Sequence, residues 1–110
     1  MIVRIWQGWT TPENADVYET LLRNEIFPDI QAKTIPGLQS IEVLRLEHAA
    51  ETEFMTLFRF DSVEDIESMT GEDAEAAYVP AIARKVLHRY EERARHFVRR
   101  YESTTRRNPR

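Results

Sequence analysis

The stretch that decides the fold is Glu53-Phe54-Met55-Thr56-Leu57-Phe58-Arg59-Phe60. It is the most apolar part of the chain, and its aromatic and branched side chains are typical of a strand. Asp61 or Ser62, which follow directly, can each cap a helix, and Asp65 lies three positions after Ser62. The stretch therefore predicts a strand that leads at once into a helix.

Both faces of this predicted strand are apolar. Alternate residues of a strand point to opposite sides of the sheet. In the strand over 53–60, one side carries Phe54, Phe58 and Phe60, and the other carries Met55 and Leu57. In the strand over 2–9, one side carries Val3 and Ile5, and the other carries Ile2 and Trp6. Helices can cover one face, but the other would be larger than the apolar patches that monomers usually expose. We therefore expect a homodimer in which the same face of a second copy covers it.

The remaining patterns extend in both directions from this strand. They predict, in chain order, a strand over 2–9, a helix that begins at Thr11-Pro12-Glu13, strands over 38–47 and 53–60, a helix from 61 or 62 to Gly71, a helical stretch over 73–92 that Pro80 interrupts, and a strand over 94–101. This order, β-α-β-β-α-β, is the ferredoxin-like arrangement of the α+β class, with an antiparallel sheet. We expect one domain over residues 1–101 and a polar, basic tail over 102–110.

The first helix shows a clear apolar face. Tyr18, Leu22, Ile26 and Ile30 recur at every fourth position, which places them on one side of a helix. Pro28 lies within this pattern. Because proline lacks the N–H that a helix interior needs, we expect a kink or a break there.

Composition limits the function classes. The 110 residues include no cysteine, which excludes disulfides, a thiol nucleophile and thiolate metal sites. No apolar run reaches the length of a membrane span, and the N-terminus does not resemble a signal peptide, so we expect a cytoplasmic protein. The net charge is −4, with acidic residues concentrated in 1–83 and basic residues in 84–110. This asymmetry predicts either attraction between the two regions or an anionic partner.

The sequence resembles the antibiotic biosynthesis monooxygenase family, whose members form dimeric α/β barrels. The resemblance covers roughly residues 1–100. It rests on 3–10, Ile26-Phe27-Pro28, Ile35-Pro36-Gly37, Phe60-Asp61-Ser62 with Asp65-Ile66, Gly71-Glu72-Asp73, Tyr78-Val79-Pro80, Ala83-Arg84, Leu87 and Arg89-Tyr90-Glu91. It implies one of several activities, because characterised members differ in what they do.

One implied activity is oxidation of an electron-rich phenol, quinol or polyketide-type compound by O₂ without a metal, flavin or other cofactor. Such a protein needs an aromatic-walled pocket, a base and a group that stabilises the phenolate. We predict Trp6, Trp9, Phe60 and Tyr78 as walls, His88 or His96 as the base, and Arg59 or Arg4 as the anion-holding group. The alternative is a dimeric protein that binds a small molecule, or responds to stress, without catalysis.

Three other functions are disfavoured. Heme-degrading relatives use an Asn, a Trp and a His, where this chain has Trp6 or Gln7, Phe60 and Tyr78. His88, Glu92 and His96 would line up as metal ligands only on an unbroken helix, whereas the residues around His96 alternate as in a strand. RNA-recognition strands need glycines that residues 53–60 lack, so we expect no nucleic-acid partner.

Overall fold

The computed structural model describes residues 1–105 and shows one antiparallel sheet with helices on one face. The strands are β1 (Ile2–Thr10), β2 (Leu38–Glu47), β3 (Thr52–Phe60), β4 (Arg89–Tyr90) and β5 (Arg95–Val98), and the helices are α1 (Ala15–Leu21), α2 (Phe27–Ala32), α3 (Val63–Thr70) and α4 (Ala81–Arg84). The sheet order is β2-β3-β1, and β4 and β5 both pair with the free side of β1. This is the predicted α+β, ferredoxin-like arrangement.

The register of β1 and β3 assigns each side chain to a face. Ile2 lies opposite Phe60 and Gly8 opposite Phe54, so even-numbered residues of both strands share the face that the helices cover. The core lies there, where Phe54 and Phe60 are fully buried. Odd-numbered residues of both strands form the other face, which we call the open face. It carries the half-buried Val3, Ile5, Met55 and Leu57, and further from the centre the exposed Leu44, Leu46 and Phe97.

The helix after β1 changes its winding before Pro28, where the sequence predicted a kink or a break. Residues Leu22–Ile26 form a π-helical turn between α1 and α2. A proline at position 28 cannot donate to the carbonyl four residues earlier, and its ring crowds that carbonyl. A wider turn relieves this conflict and keeps the helix continuous.

The junction between β3 and α3 also has its predicted form. Ser62 caps α3, since its hydroxyl accepts a hydrogen bond from the backbone N–H of Asp65 at 3.3 Å. The Ser62 hydroxyl in turn donates to the Asp65 carboxylate at 2.9 Å. Gly71 follows α3 with φ of +89°, a conformation that favours glycine.

The prediction of a long helical stretch over 73–92 is wrong. The only helix in this range is α4, and residues 71–80 form an irregular segment, which we call the roof segment. Within the segment the Ala76 N–H donates to the Asp73 carbonyl in a turn. Other backbone groups bond to the last part of the chain: the Ala77 N–H donates to the Glu92 carbonyl, and the Glu75 carbonyl accepts from the Ala94 N–H. Pro80, which has no N–H, ends the segment and precedes α4.

The last predicted strand is shorter than expected. Pairing is confined to Arg95–Val98, and a second short strand, β4, pairs with the other end of β1. The basic region that follows residue 84 pairs with the acidic body: Arg89 bonds Glu51 at 2.7 Å and Arg93 bonds Asp73 at 2.8 Å. The predicted tail lies partly outside the described residues, which end at 105. Within residues 1–105 no helix is long and apolar enough to cross a membrane.

Candidate functional site

A pocket lies between the helix layer and the covered face of the sheet. Its lining is mostly apolar and consists of Trp6, Tyr18, Leu22, Ile26, Phe27, Ile30, Thr56, Phe58, Met69, Tyr78, Val79, Pro80 and Ala83. The cavity volume is about 40 Å³, which is room for a few water molecules. The pocket is therefore narrow and walled by aromatic rings.

The helical stripe seen in the sequence builds one wall of this pocket. Tyr18, Leu22, Ile26 and Ile30 all line it and are all buried. They share one face because the fourfold spacing continues through the π-helical turn. The sequence pointed to this face as core but did not identify it as the wall of a site.

Trp6 forms part of the sheet side of the pocket. Its indole N–H donates to the Glu91 carbonyl at 2.6 Å, and its ring lies 6.1 Å from the ring of Tyr90. These contacts satisfy the polar end of the side chain and leave the ring face for the pocket. Of the four predicted wall residues, Trp6 and Tyr78 line this pocket.

Tyr78 closes the pocket from the roof segment. Its hydroxyl oxygen accepts a hydrogen bond from the Lys33 ammonium at 2.8 Å, and that nitrogen lies 4.9 Å from the ring centre. The other phenol in the lining, Tyr18, lies deep in the core, and burial raises its pKa well above the usual range. Tyr18 therefore stays protonated, and its ring packs edge-on against Phe54 at 4.9 Å.

Trp9 and Arg59 do not reach this pocket. Both are odd-numbered residues on the open face. Trp9 is covered by the guanidinium of Arg89, 3.8 Å from its ring. Arg59 donates to the Glu42 carboxylate at 3.1 Å. The structure thus separates these two predicted site residues from Trp6 and Tyr78.

Phe60 and His88 also lie outside the lining. Phe60 is fully buried in the core, where its ring packs 6.4 Å from Phe58. The side chain of His88 is exposed, and its backbone N–H donates to the Trp9 carbonyl at 2.7 Å. Three aromatic residues that the prediction did not name as walls, Tyr18, Phe27 and Phe58, line the pocket instead.

His96 pairs with Arg4 on the covered face. The two residues face each other across β1 and β5, and Nη1 of Arg4 lies 2.9 Å from Nε2 of His96. Burial, and then the charge of Arg4, lower the pKa of His96, whereas Glu75 opposes this effect. His96 does not line the pocket, but it contacts Arg4, whose guanidinium donates to two carbonyls of the roof segment.

The remaining histidine, His48, has a carboxylate partner on the open face. Nε2 of His48 lies 2.8 Å from the Glu53 carboxylate, which also accepts a hydrogen bond from the Gln7 amide. In residues 1–105 no group of three or more His, Cys, Asp or Glu side chains is arranged to hold a metal ion. Within the described part of the chain, the polar side chains in the pocket lining are the hydroxyls of Tyr18, Thr56 and Tyr78. Lys33, Arg4 and His96 lie nearby.

Comparison with known proteins gives a match by structure only. No family model and no curated protein sequence matches the chain. A crystal structure from Bacillus cereus, described as a "putative antibiotic biosynthesis monooxygenase", superposes with a TM-score of 0.66 at 8% sequence identity. The match covers 94% of this chain and 97% of that one.

The chain shares its fold with that Bacillus cereus protein. The agreement over nearly the whole of both chains carries this statement, and it confirms the resemblance seen in the sequence. At this level of identity the monooxygenase fold says nothing about substrate or activity. Substrate and activity depend on the chemistry of the pocket.

Proposed function

We propose that the chain is a monooxygenase-like protein whose pocket takes a small aromatic compound. The observation that carries the proposal is the ring-lined pocket itself, with Trp6, Tyr18, Phe27, Phe58 and Tyr78 around one narrow space. Flat apolar walls favour a flat apolar ligand, because ring faces stack and water is excluded. The monooxygenase fold supports this reading.

The size of the pocket favours a compound with one ring. A cavity of roughly 150 Å³ holds benzene in another protein, whereas this one measures about 40 Å³. Even a one-ring ligand requires the walls to move apart, and the roof segment is the wall with no regular secondary structure. A one-ring phenol or quinol is therefore a better candidate than a polycyclic anthrone.

The proposed reaction is oxidation by O₂ without a metal or flavin. A phenol that loses its proton becomes electron-rich enough to transfer electrons to O₂, so the protein must accept a proton and stabilise an anion. At the roof, the Lys33 ammonium on the Tyr78 hydroxyl supplies positive charge beside the lining. The predicted roles of His88 and His96 as bases stay predictions, and neither side chain lines the pocket.

The second candidate is a binding protein without catalysis. The observation that favours it is the lining, which offers hydroxyls but neither a histidine nor a carboxylate. A phenol in such a pocket would be held by stacking and would keep its proton. The two candidates share a ligand class and differ in whether oxygen is consumed.

The test combines oxygen uptake with binding. Wild type is assayed with a series of one-ring quinols and with anthrones, in an oxygen electrode and by calorimetry. Ala83 is buried in the lining, so Ala83→Leu should fill the pocket and abolish both binding and uptake. Ala50→Leu, on the exposed hairpin, is the matched control. Uptake that Ala83→Leu leaves unchanged would refute the pocket as the site, while binding without uptake would select the non-catalytic protein.

We also infer that the protein works as a homodimer through the open face. The support is the row of half-buried apolar side chains at its centre: Val3, Ile5, Met55 and Leu57. The outer Leu44, Leu46 and Phe97 are 47%, 57% and 46% exposed, which is unusual for large apolar residues on one surface. A second copy placed around a twofold axis would cover them with an identical surface.

A further inference from the structure

The roof segment, residues 71–80, depends on tertiary contacts for its position. It forms no helix or strand, apart from a single bridge between Ala76 and Arg93. Its last part, Tyr78 to Pro80, covers the pocket. Because the cavity beneath is smaller than a ring, a ligand can enter only if a wall such as this one moves.

One buried side chain holds this segment against the sheet. Arg4 is 4% exposed, and its guanidinium donates to the Ala74 carbonyl at 2.5 Å and to the Ala76 carbonyl at 2.6 Å. No ion pair joins Arg4 to an acidic residue within 1–105. Burial lowers the pKa of Arg4 to about 10, so it remains charged near neutral pH. The cation is stabilised by neutral acceptors, two of which belong to the roof segment.

His96 completes the set of acceptors. An arginine can only donate, so its 2.9 Å contact with Nε2 of His96 requires a neutral imidazole whose Nε2 carries a lone pair. The charged groups that act on His96 are Arg4 from β1 and Glu75 from the roof segment, and Glu75 also lies 3.4 Å from Arg93. On β3, the residue opposite Arg4 is Phe58, which carries no charge.

We propose that Arg4 is a positioning residue that latches the roof segment over the pocket, and that protonation of His96 releases the latch. A protonated imidazole cannot accept from Arg4 and places a second positive charge beside it. Its release would loosen the bonds to Ala74 and Ala76 and let Tyr78 move away from the pocket. The pocket is thus closed near neutral pH and opens in mild acid. The latch regulates the pocket of the proposed function but does not depend on the reaction there.

The contact between Arg4 and His96 determines the direction in which pH shifts the pocket between its closed and open states. In the closed state the pKa of His96 is lowered, whereas in an open state, free of Arg4, it returns toward about 6.5. The open state therefore binds the proton more readily, and a fall in pH below about 6.5 shifts the population toward it. The open-to-closed ratio changes by up to about tenfold for each unit by which the two pKa values differ.

The test uses Trp6 as a reporter of the pocket. The chain has two tryptophans, and Trp9→Phe removes the one on the open face, so that all remaining indole fluorescence comes from Trp6 in the pocket wall. Acrylamide quenching of Trp6 is then measured as a function of pH, with circular dichroism to verify that the fold persists. We expect the quenching constant to rise as pH falls below about 6.5.

Variants in the Trp9→Phe background identify the group responsible. His96→Gln keeps an acceptor for Arg4 that cannot titrate, and it should hold quenching low at every pH. His88→Gln, at an exposed histidine, should keep the full pH dependence. Arg4→Met should give high quenching at neutral pH, and Arg4→Lys, which lacks the planar fork, should restore closure only in part.

Hydrogen exchange provides a readout that survives if the Arg4 variants do not fold. After correction for intrinsic rates, the Ala76 and Ala77 amides of the Trp9→Phe protein should exchange faster in mild acid than at neutral pH, and His96→Gln should abolish the difference. The proposal is overturned if quenching does not depend on pH, or if His96→Gln shows the same dependence as its parent. Neither assay needs ligand or oxygen, so failure of the latch and failure of the proposed function are separate results.

Discussion

Trp6 and Trp9 lie three residues apart on β1 and point to opposite faces of the sheet. Trp6 lines the pocket under the helices, while Trp9 lies on the open face beneath the guanidinium of Arg89. The two indoles therefore report on different parts of the molecule. This separation provides the first test of which face holds the ligand.

A bound aromatic ligand should change the fluorescence of Trp6 alone. Trp9→Phe should retain the ligand-induced change, because the remaining indole lies in the pocket wall. Trp6→Phe should lose most of it, since Trp9 lies outside the pocket. The measurement is a fluorescence titration of both variants with a one-ring quinol. A change retained in Trp6→Phe and lost in Trp9→Phe would place the ligand on the open face.

The open face should be the dimer interface. Wild type should scatter light as a species of twice the 13.0 kDa chain mass. Leu57→Glu should dissociate or unfold it, because a carboxylate buried without a partner is costly. Val17→Glu, at an exposed residue of α1, is the matched control and should remain dimeric. A wild type that is a folded monomer at micromolar concentration would contradict the prediction.

Replacing Thr10 by valine should stabilise the fold. Thr10 is fully buried, and its hydroxyl has no hydrogen-bond partner within residues 1–105. Burying such a group costs about 1 to 3 kcal/mol, so Thr10→Val should raise the free energy of unfolding by roughly 1 kcal/mol or more. Urea denaturation measures the difference. Thr52→Val is the control, because the Thr52 hydroxyl is not left without a partner as that of Thr10 is and lowers the pKa of the Glu47 carboxyl, and it should bring no gain. An equal gain in both variants would show that the missing bond is not the cause.

A side chain at Gly37 should be strongly destabilising. Gly37 has φ of +77°, and a Cβ there would overlap the carboxylate of Asp65. The positive φ alone costs an L-residue about 1 to 2 kcal/mol, and the overlap disturbs the Ser62–Asp65 cap in addition. Gly37→Ala should therefore lower the midpoint of thermal unfolding by several degrees or more. In an Asp65→Ala background the added penalty should shrink. A penalty of the same size in both backgrounds would mean that the overlap plays no part.

Local patterns explain why much of the fold could be predicted. The apolar face formed by Tyr18, Leu22, Ile26 and Ile30 follows from helical spacing, and it packs onto the sheet as expected. The cap at Ser62 and the turn at Gly71 depend only on neighbouring residues, and both occur where the sequence placed them. The alternation over 53–60 also assigned the faces of β3 correctly.

Tertiary contacts explain where prediction failed. Residues 73–80 carry no strong local signal against a helix before Pro80, yet their backbone groups bond to Arg4, Glu92 and Ala94. These partners are remote in sequence or lie beyond the segment, so periodicity within it could not reveal them. For the same reason the pocket wall formed by Phe27 and Tyr78 was only half predicted: which aromatic rings meet depends on how α2 and the roof segment pack.

The sequence by itself determined the class of fold, the order of strands and helices up to Gly71, and which side chains share each strand face. These follow from short-range periodicity, because a strand alternates every second residue and a helix repeats every 3.6. Only the tertiary structure decided that Trp6 and Trp9 serve different surfaces of the molecule, that Phe60 is core, and that the buried Arg4 faces His96 and holds the roof segment. Those relationships join residues up to 92 positions apart, and they exist because a buried cation must find acceptors wherever the packed chain provides them.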